Sequence, residues 1–174
     1  MKKNLKILAA GDLHGDFGVA RKLSSKAKKN KVDLVILAGD LHGHAGEGEG
    51  ILELFRKAKQ KVVFVPGNWD FVYNKEKAKD WKFWETDFYK QNIKGLKNII
   101  DCDMKVVDAG DYTIVGYGKV SGPEYPQDED LIAKSTKKGL AKSKKHYDKT
   151  TKKLDKLFEK AKKIGKPIIF MHHN

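Results

Sequence analysis

Acid, amide and imidazole side chains recur at the ends of four apolar runs. Gly11-Asp12-Leu13-His14-Gly15-Asp16 follows Leu5–Ala10, and Gly39-Asp40-Leu41-His42-Gly43 follows Val32–Ala38. Pro66-Gly67-Asn68-Trp69-Asp70 follows Val62–Val65, and His172-His173-Asn174 follows Pro167–Met171. Asp12, Asp40 and Asn68 recur at intervals of 28 residues, about the length of one strand–helix unit. A set of Asp, His, Asp, Asn and His offers mixed oxygen and imidazole donors, which suits Mn, Fe, Zn, Co or Ni better than Ca or Mg alone. The glycine beside each candidate ligand lets the backbone turn sharply and lets a substrate come close. Taken singly, each piece has a plainer reading as a turn, a helix cap or a frayed tail. Their joint occurrence, in order and each behind an apolar strand, favours a metal centre.

Elements that present side chains this way must be strands ending at one edge. The three runs Leu5–Ala10, Val32–Ala38 and Val62–Val65 are short, apolar and rich in β-branched residues, each closing in a glycine-containing loop. Helical segments are expected between them, at Val19–Lys29 with Leu23 and Ala27 inward, and at Ile51–Gln60 with Ile51, Leu54, Phe55 and Ala58 on one face. Strands that are apolar throughout and alternate with helices imply a parallel sheet covered on both faces. In such sheets ligands bind beyond the carboxyl ends of the strands. Further on, Lys77–Asn92 reads as an aromatic-rich helix, and Asn98–Asp101, Lys105–Asp108 and Tyr112–Tyr117 as shorter strands. Ala109-Gly110-Asp111 suits a hairpin turn, and Ser121–Asp130 a loop. A long helix follows, with Leu154, Leu157, Phe158 and Ala161 on its apolar stripe, and then a last strand, Pro167–Met171.

The chain has 174 residues, which suits one domain spanning 1–174, and 40% of them are hydrophobic. No apolar run is long enough to span a bilayer. The first apolar stretch is short and runs into Gly11-Asp12 without a cleavage pattern, so a strand and a cytoplasmic protein are expected rather than a signal peptide. Cys102 is the only cysteine, which excludes an internal disulfide and a cysteine-based zinc site. Its neighbours Asp101 and Asp103 should raise its thiol pKa, and it should pack as a small hydrophobe. The formal net charge of +13 is concentrated. Residues 134–163 hold 13 lysines against Asp148, Asp155 and Glu159, a local excess of ten positive charges.

The ordered motifs resemble those of the calcineurin-like metallophosphoesterases, which read Gly-Asp-x-His, Gly-Asp-x-x-Asp/Asn, Gly-Asn-His-Asp/Glu, a strand ending in His, and finally Gly-His-x-His. The resemblance runs over essentially the whole chain. It implies an αββα four-layer sandwich and two divalent metal ions that activate a hydroxide to hydrolyse a phosphomonoester or phosphodiester. By this resemblance Asp12 and His14 would bind the first metal, Asp40 would bridge both, and Asn68 and His172 would bind the second. His173 would face the substrate, or replace His172 if the register differs by one. Trp69 stands where the family carries a histidine that protonates the leaving group, a task an indole cannot perform at neutral pH, so no proton-transferring residue is assigned. Gly43 stands where Asp or Asn is usual, which removes an orienting contact unless His42 or His44 supplies it. His42-Gly43-His44 itself reads as a solvated or substrate-facing loop.

No Gly-His-x-His follows His173, so five of the usual seven ligands are present and the domain reads as cut short at its C-terminus. Homodimerisation, or a complementing C-terminal segment, would cover the strand edge this leaves. Two other functions compete with hydrolysis. The basic segment 134–163 suits a nucleic-acid-binding or nuclease module, although a solvated lysine face is the commoner explanation where arginines are almost absent. A non-catalytic, truncated family member is the third. No membrane partner is expected.

Overall fold

A computed structural model of the chain describes residues 4–43, 47–56, 60–70, 72–73, 84–85, 93–118 and 137–173. In chain order the elements are β1 (Ile7–Ala10), α1 (Phe17–Lys29), β2 (Leu34–Ala38), a 3-10 helix (Ile51–Phe55), β3 (Lys61–Val65) and a 3-10 turn (Asn68–Asp70). These are followed by β4 (Val72–Tyr73), β5 (Trp84–Glu85), β6 (Ile99–Asp101), β7 (Lys105–Asp108), β8 (Thr113–Tyr117), α2 (Lys137–Lys162) and β9 (Ile168–His172).

The first sheet has the order β1-β2-β3-β6, with every neighbour parallel. The second has the order β7-β8-β9, antiparallel between β7 and β8 and parallel between β8 and β9. Alternation along β2 and β3 divides their side chains between two cores. Val35, Leu37, Val62 and Phe64 pack with Ala20 and Ala27 of α1 and with Ile51, Leu52 and Phe55 of the 3-10 helix. Leu34, Ile36, Val63 and Val65 face the second sheet and meet Ile114, Met171 and Cys102. The far side of the second sheet carries α2, where Ala161 is buried and the rings of Phe158 and Phe170 lie 5.2 Å apart. The layers are therefore α1, sheet, sheet, α2, the αββα sandwich that the strand pattern and the resemblance imply. No described helix is long and apolar enough to cross a membrane.

Several elements differ from expectation. Helix α1 starts two residues before Val19 because Asp16 caps it, its side chain accepting from the Val19 N–H at 2.9 Å. Ile51–Phe55 is a 3-10 helix entered from left-handed Gly50 without a side-chain cap, and Leu52 is buried beside Ile51 and Phe55. The expected α-helical continuation runs into residues 57–59, outside the described residues. Within Lys77–Asn92, Trp84 and Glu85 are extended and pair antiparallel with Val72 and Tyr73. Local helix propensity there yields to a tertiary strand partner, while the rest of that segment and Ser121–Asp130 lie outside the described residues. Strand β9 reaches His172, one residue beyond the expected end.

Candidate metal centre

The loops after β1 and β2 are laced by backbone bonds. The N–H groups of Asp12, His14 and Gly15 donate to the carbonyls of Gly39, Asp40 and Leu41 at 2.9–3.0 Å. To follow this path, Asp12, His14 and Asp40 adopt positive φ of 54°, 44° and 49°, left-handed values that disfavour side chains. The path brings Asp12 and Asp40 together at the carboxyl edge of the sheet, where His173 arrives from the second sheet. One ligand atom from each of Asp12, Asp40 and His173 lies within 4.8 Å of the others.

Asp40 is almost fully buried, and burial raises its carboxyl above the ordinary value despite the Trp69 N–H and His173 beside it. Its Oδ1 accepts from the Trp69 backbone N–H at 2.8 Å, and its Oδ2 stands 3.3 Å from His173 Nε2. His173 Nδ1 lies 2.8 Å from the Ala38 carbonyl. A carbonyl only accepts, so Nδ1 carries the proton, and in neutral imidazole Nε2 presents its lone pair toward Asp40. A lone pair and a carboxylate oxygen at that separation require a proton or a cation between them. A backbone carbonyl that fixes the tautomer is also the usual support of a ligating histidine. Space is kept by glycine: a Cβ on Gly67 would strike Asp40 Oδ1 and lie 2.7 Å from His173 Nε2. Donor types, tautomer and cradle therefore fit a divalent cation.

The resemblance prefers His172 as the ligand and His173 toward substrate, whereas the structure brings His173 to Asp40. Strand parity explains the exchange. Met171 and Ile169 face the inter-sheet core, and His173 continues that side. His172 belongs to the outer side, where its ring stacks on exposed Phe170 at 5.8 Å and its Nδ1 meets the Tyr117 carbonyl at 2.9 Å. His14 remains at the exposed rim, its Nε2 3.8 Å from Asp12 Oδ1 and its ring edge-on to Trp69 at 4.9 Å. Asn68 opens the 3-10 turn after Gly67, and its side chain lies outside the described residues.

His42 is not solvated, as its loop was expected to be, but fully buried against Asp70, which is itself buried. Asp70 Oδ1 accepts from the N–H groups of Leu41 and His42, both at 3.0 Å, and meets His42 Nδ1 at 2.7 Å. Its Oδ2 accepts from the Gly67 N–H at 2.7 Å. One carboxylate thus ties the loop bearing Asp40 to the loop bearing Asn68. The signal was in the sequence, in the Asp that closes Gly67-Asn68-Trp69-Asp70, but its partner His42 gave no sign that it points inward. At Gly43 a side chain would collide with Glu47, and His44 lies outside the described residues.

Comparison with known proteins agrees with this geometry. No curated protein matches the chain. Among solved structures, the protein TT1561 of Thermus thermophilus is similar with a TM-score of 0.63 and 17% identity, over 98% of this chain and 68% of that one. Phosphopantetheinyl hydrolase of Mycobacterium tuberculosis is similar with a TM-score of 0.57 and 14% identity, over 99% of this chain and 69% of that one. At such identities both likenesses speak for the fold. The family model described as calcineurin-like phosphoesterase matches residues 5–174, so the chain belongs to that family, whose general chemistry is metal-dependent phosphoester hydrolysis.

Proposed function

We propose that the chain hydrolyses a phosphomonoester or phosphodiester at the carboxyl edge of its first sheet, using two divalent ions. The observation that carries this reading is buried Asp40 facing the Nε2 of His173, with Asp12 alongside. Asp12 and His14 would hold one ion, Asp40 would be shared, and Asn68 and His173 would hold the other. Bound there, the ions lower the pKa of water toward neutrality and draw charge from the phosphoryl oxygens. The residues' own contribution is positional. Asp40 is fixed by the Trp69 N–H, and His173 by the Ala38 carbonyl. Asp70 holds the two loops in register, so the ligands need little reorganisation. Trp69 offers no proton for the leaving group, and its half-exposed ring instead walls the rim beside His14.

The test is metal content by elemental analysis together with Mn-dependent hydrolysis of bis-p-nitrophenyl phosphate, for the wild type and Asp40→Asn. Stoichiometric metal and turnover, both lost in the variant, are expected. Equal metal content and equal turnover in the two proteins would sink the reading.

A further inference from the structure

Helix α2 carries more lysine than a solvated face needs, in a pattern tied to the site edge. Lysine occupies positions 138, 142, 145, 149, 152, 156 and 160, steps of three or four residues that follow one side of an α-helix. At 1.5 Å per residue this stripe runs for about 33 Å. Lys145, Lys149, Lys152, Lys156 and Lys160 are exposed, and the opposite side packs on the second sheet through Thr150, Phe158 and Ala161. The apolar face is therefore already used against protein, which leaves none to enter a lipid surface.

The helix also overhangs the site edge. Thr150 bonds the side chain of Tyr117, the last residue of β8, and Phe158 lies against Phe170 earlier along β9. Toward its N-terminus α2 thus advances in the direction in which β8 and β9 run. Residues 137–149 continue about 20 Å past the edge at which His173 meets Asp40. At that same edge Trp69 is 37% exposed, a ring of the kind on which bases stack.

We propose that the lysine stripe of α2 is a docking face for a single-stranded polynucleotide, which it leads to the carboxyl edge, with a base stacking on Trp69. This rests on the phosphoester reading for the reaction but not for the binding. Lysine, a point charge without the planar fork of arginine, suits contact with phosphates regardless of base sequence.

The probe is a fluorescein-labelled 20-mer of deoxythymidine, followed by anisotropy in EDTA so that binding is read without catalysis. The wild type should bind, with affinity falling on a log–log salt plot by about 0.7 per phosphate contact. Lys145→Gln/Lys149→Gln/Lys152→Gln should reduce that slope by about 2 and weaken binding about tenfold or more in moderate salt. Lys22→Gln/Lys26→Gln/Lys97→Gln removes the same charge from exposed positions off the stripe and should stay within threefold of the wild type. Circular dichroism of both triple variants checks the helix content. No binding, equal losses in the two variants, or equally tight binding to phosphatidylserine vesicles would overturn the proposal. Oligonucleotide binding without hydrolysis of the aryl diester would sink only the hydrolytic reading, and hydrolysis without oligonucleotide binding would sink only this one.

Discussion

Removing the Asp70 carboxylate should unfasten the site from within. Asp70→Ala strands three buried backbone donors, the N–H groups of Leu41, His42 and Gly67, and leaves the His42 ring without its carboxylate. A buried donor left without a partner costs about 1–3 kcal/mol. Even at the low end the loss is about 3 kcal/mol, a large share of a total stability of about 5–15 kcal/mol. Asp70→Asn keeps the shape and one acceptor oxygen but turns an amide NH2 toward a donor at one end, so about 2 kcal/mol is expected. Urea unfolding followed by circular dichroism reads both. With an m-value of about 2 kcal/mol per M, Asp70→Ala should move the midpoint down by about 1.5 M without changing the slope. A loss below about 1 kcal/mol with an unchanged slope would refute the idea that this carboxylate holds the two loops.

Other expectations follow from single contacts. Asp108 is held below the ordinary carboxylate value, first by its hydrogen bond from Lys166. With the folded pKa depressed, its contribution to stability is present above the unfolded value and is lost as pH falls through the folded one. Lys166→Met should return the Asp108 titration, followed by NMR, toward the ordinary value and remove that acid-limb dependence. Burial first, then Asp101, pushes the Cys102 thiol up to about 12, so a thiol reagent at pH 8 should leave the folded protein unmodified and react within seconds in denaturant. Gly67→Ala places a methyl group against Asp40 and His173. Its thermal stabilisation by added MnCl2 should be largely lost, whereas a substitution at exposed Lys97 should leave it intact.

The strand–loop units were legible because three independent signals coincide in them: continuous apolar runs, terminal glycines and an acid or amide at a constant interval. The layer order followed from the same runs. Which histidine turns toward Asp40 was not legible, because Ile168-Ile169-Phe170-Met171 is apolar throughout and shows no alternation to fix its faces. Only packing against Ile36 and Val63 of the first sheet decides it. The His42–Asp70 pair was hidden for a different reason. Gly-His-Ala-type sequences read as polar loops, and burying an imidazole is favourable only where a distant chain segment brings a carboxylate to it. The pairing of Trp84–Glu85 with Val72–Tyr73 likewise depends on a partner that local propensity does not register.

The left-handed backbone at Asp12, His14 and Asp40 has a consequence for laboratory evolution. Each non-glycine residue held there costs about 1–3 kcal/mol, least for Asp. Glycine or asparagine would be more comfortable at each position. A library of variants screened for heat tolerance alone should therefore drift toward those residues, and survivors would gain melting temperature while shedding the groups that meet at the carboxyl edge. A round of screening that also demands bound metal would be needed to keep the lineage from becoming an inert scaffold.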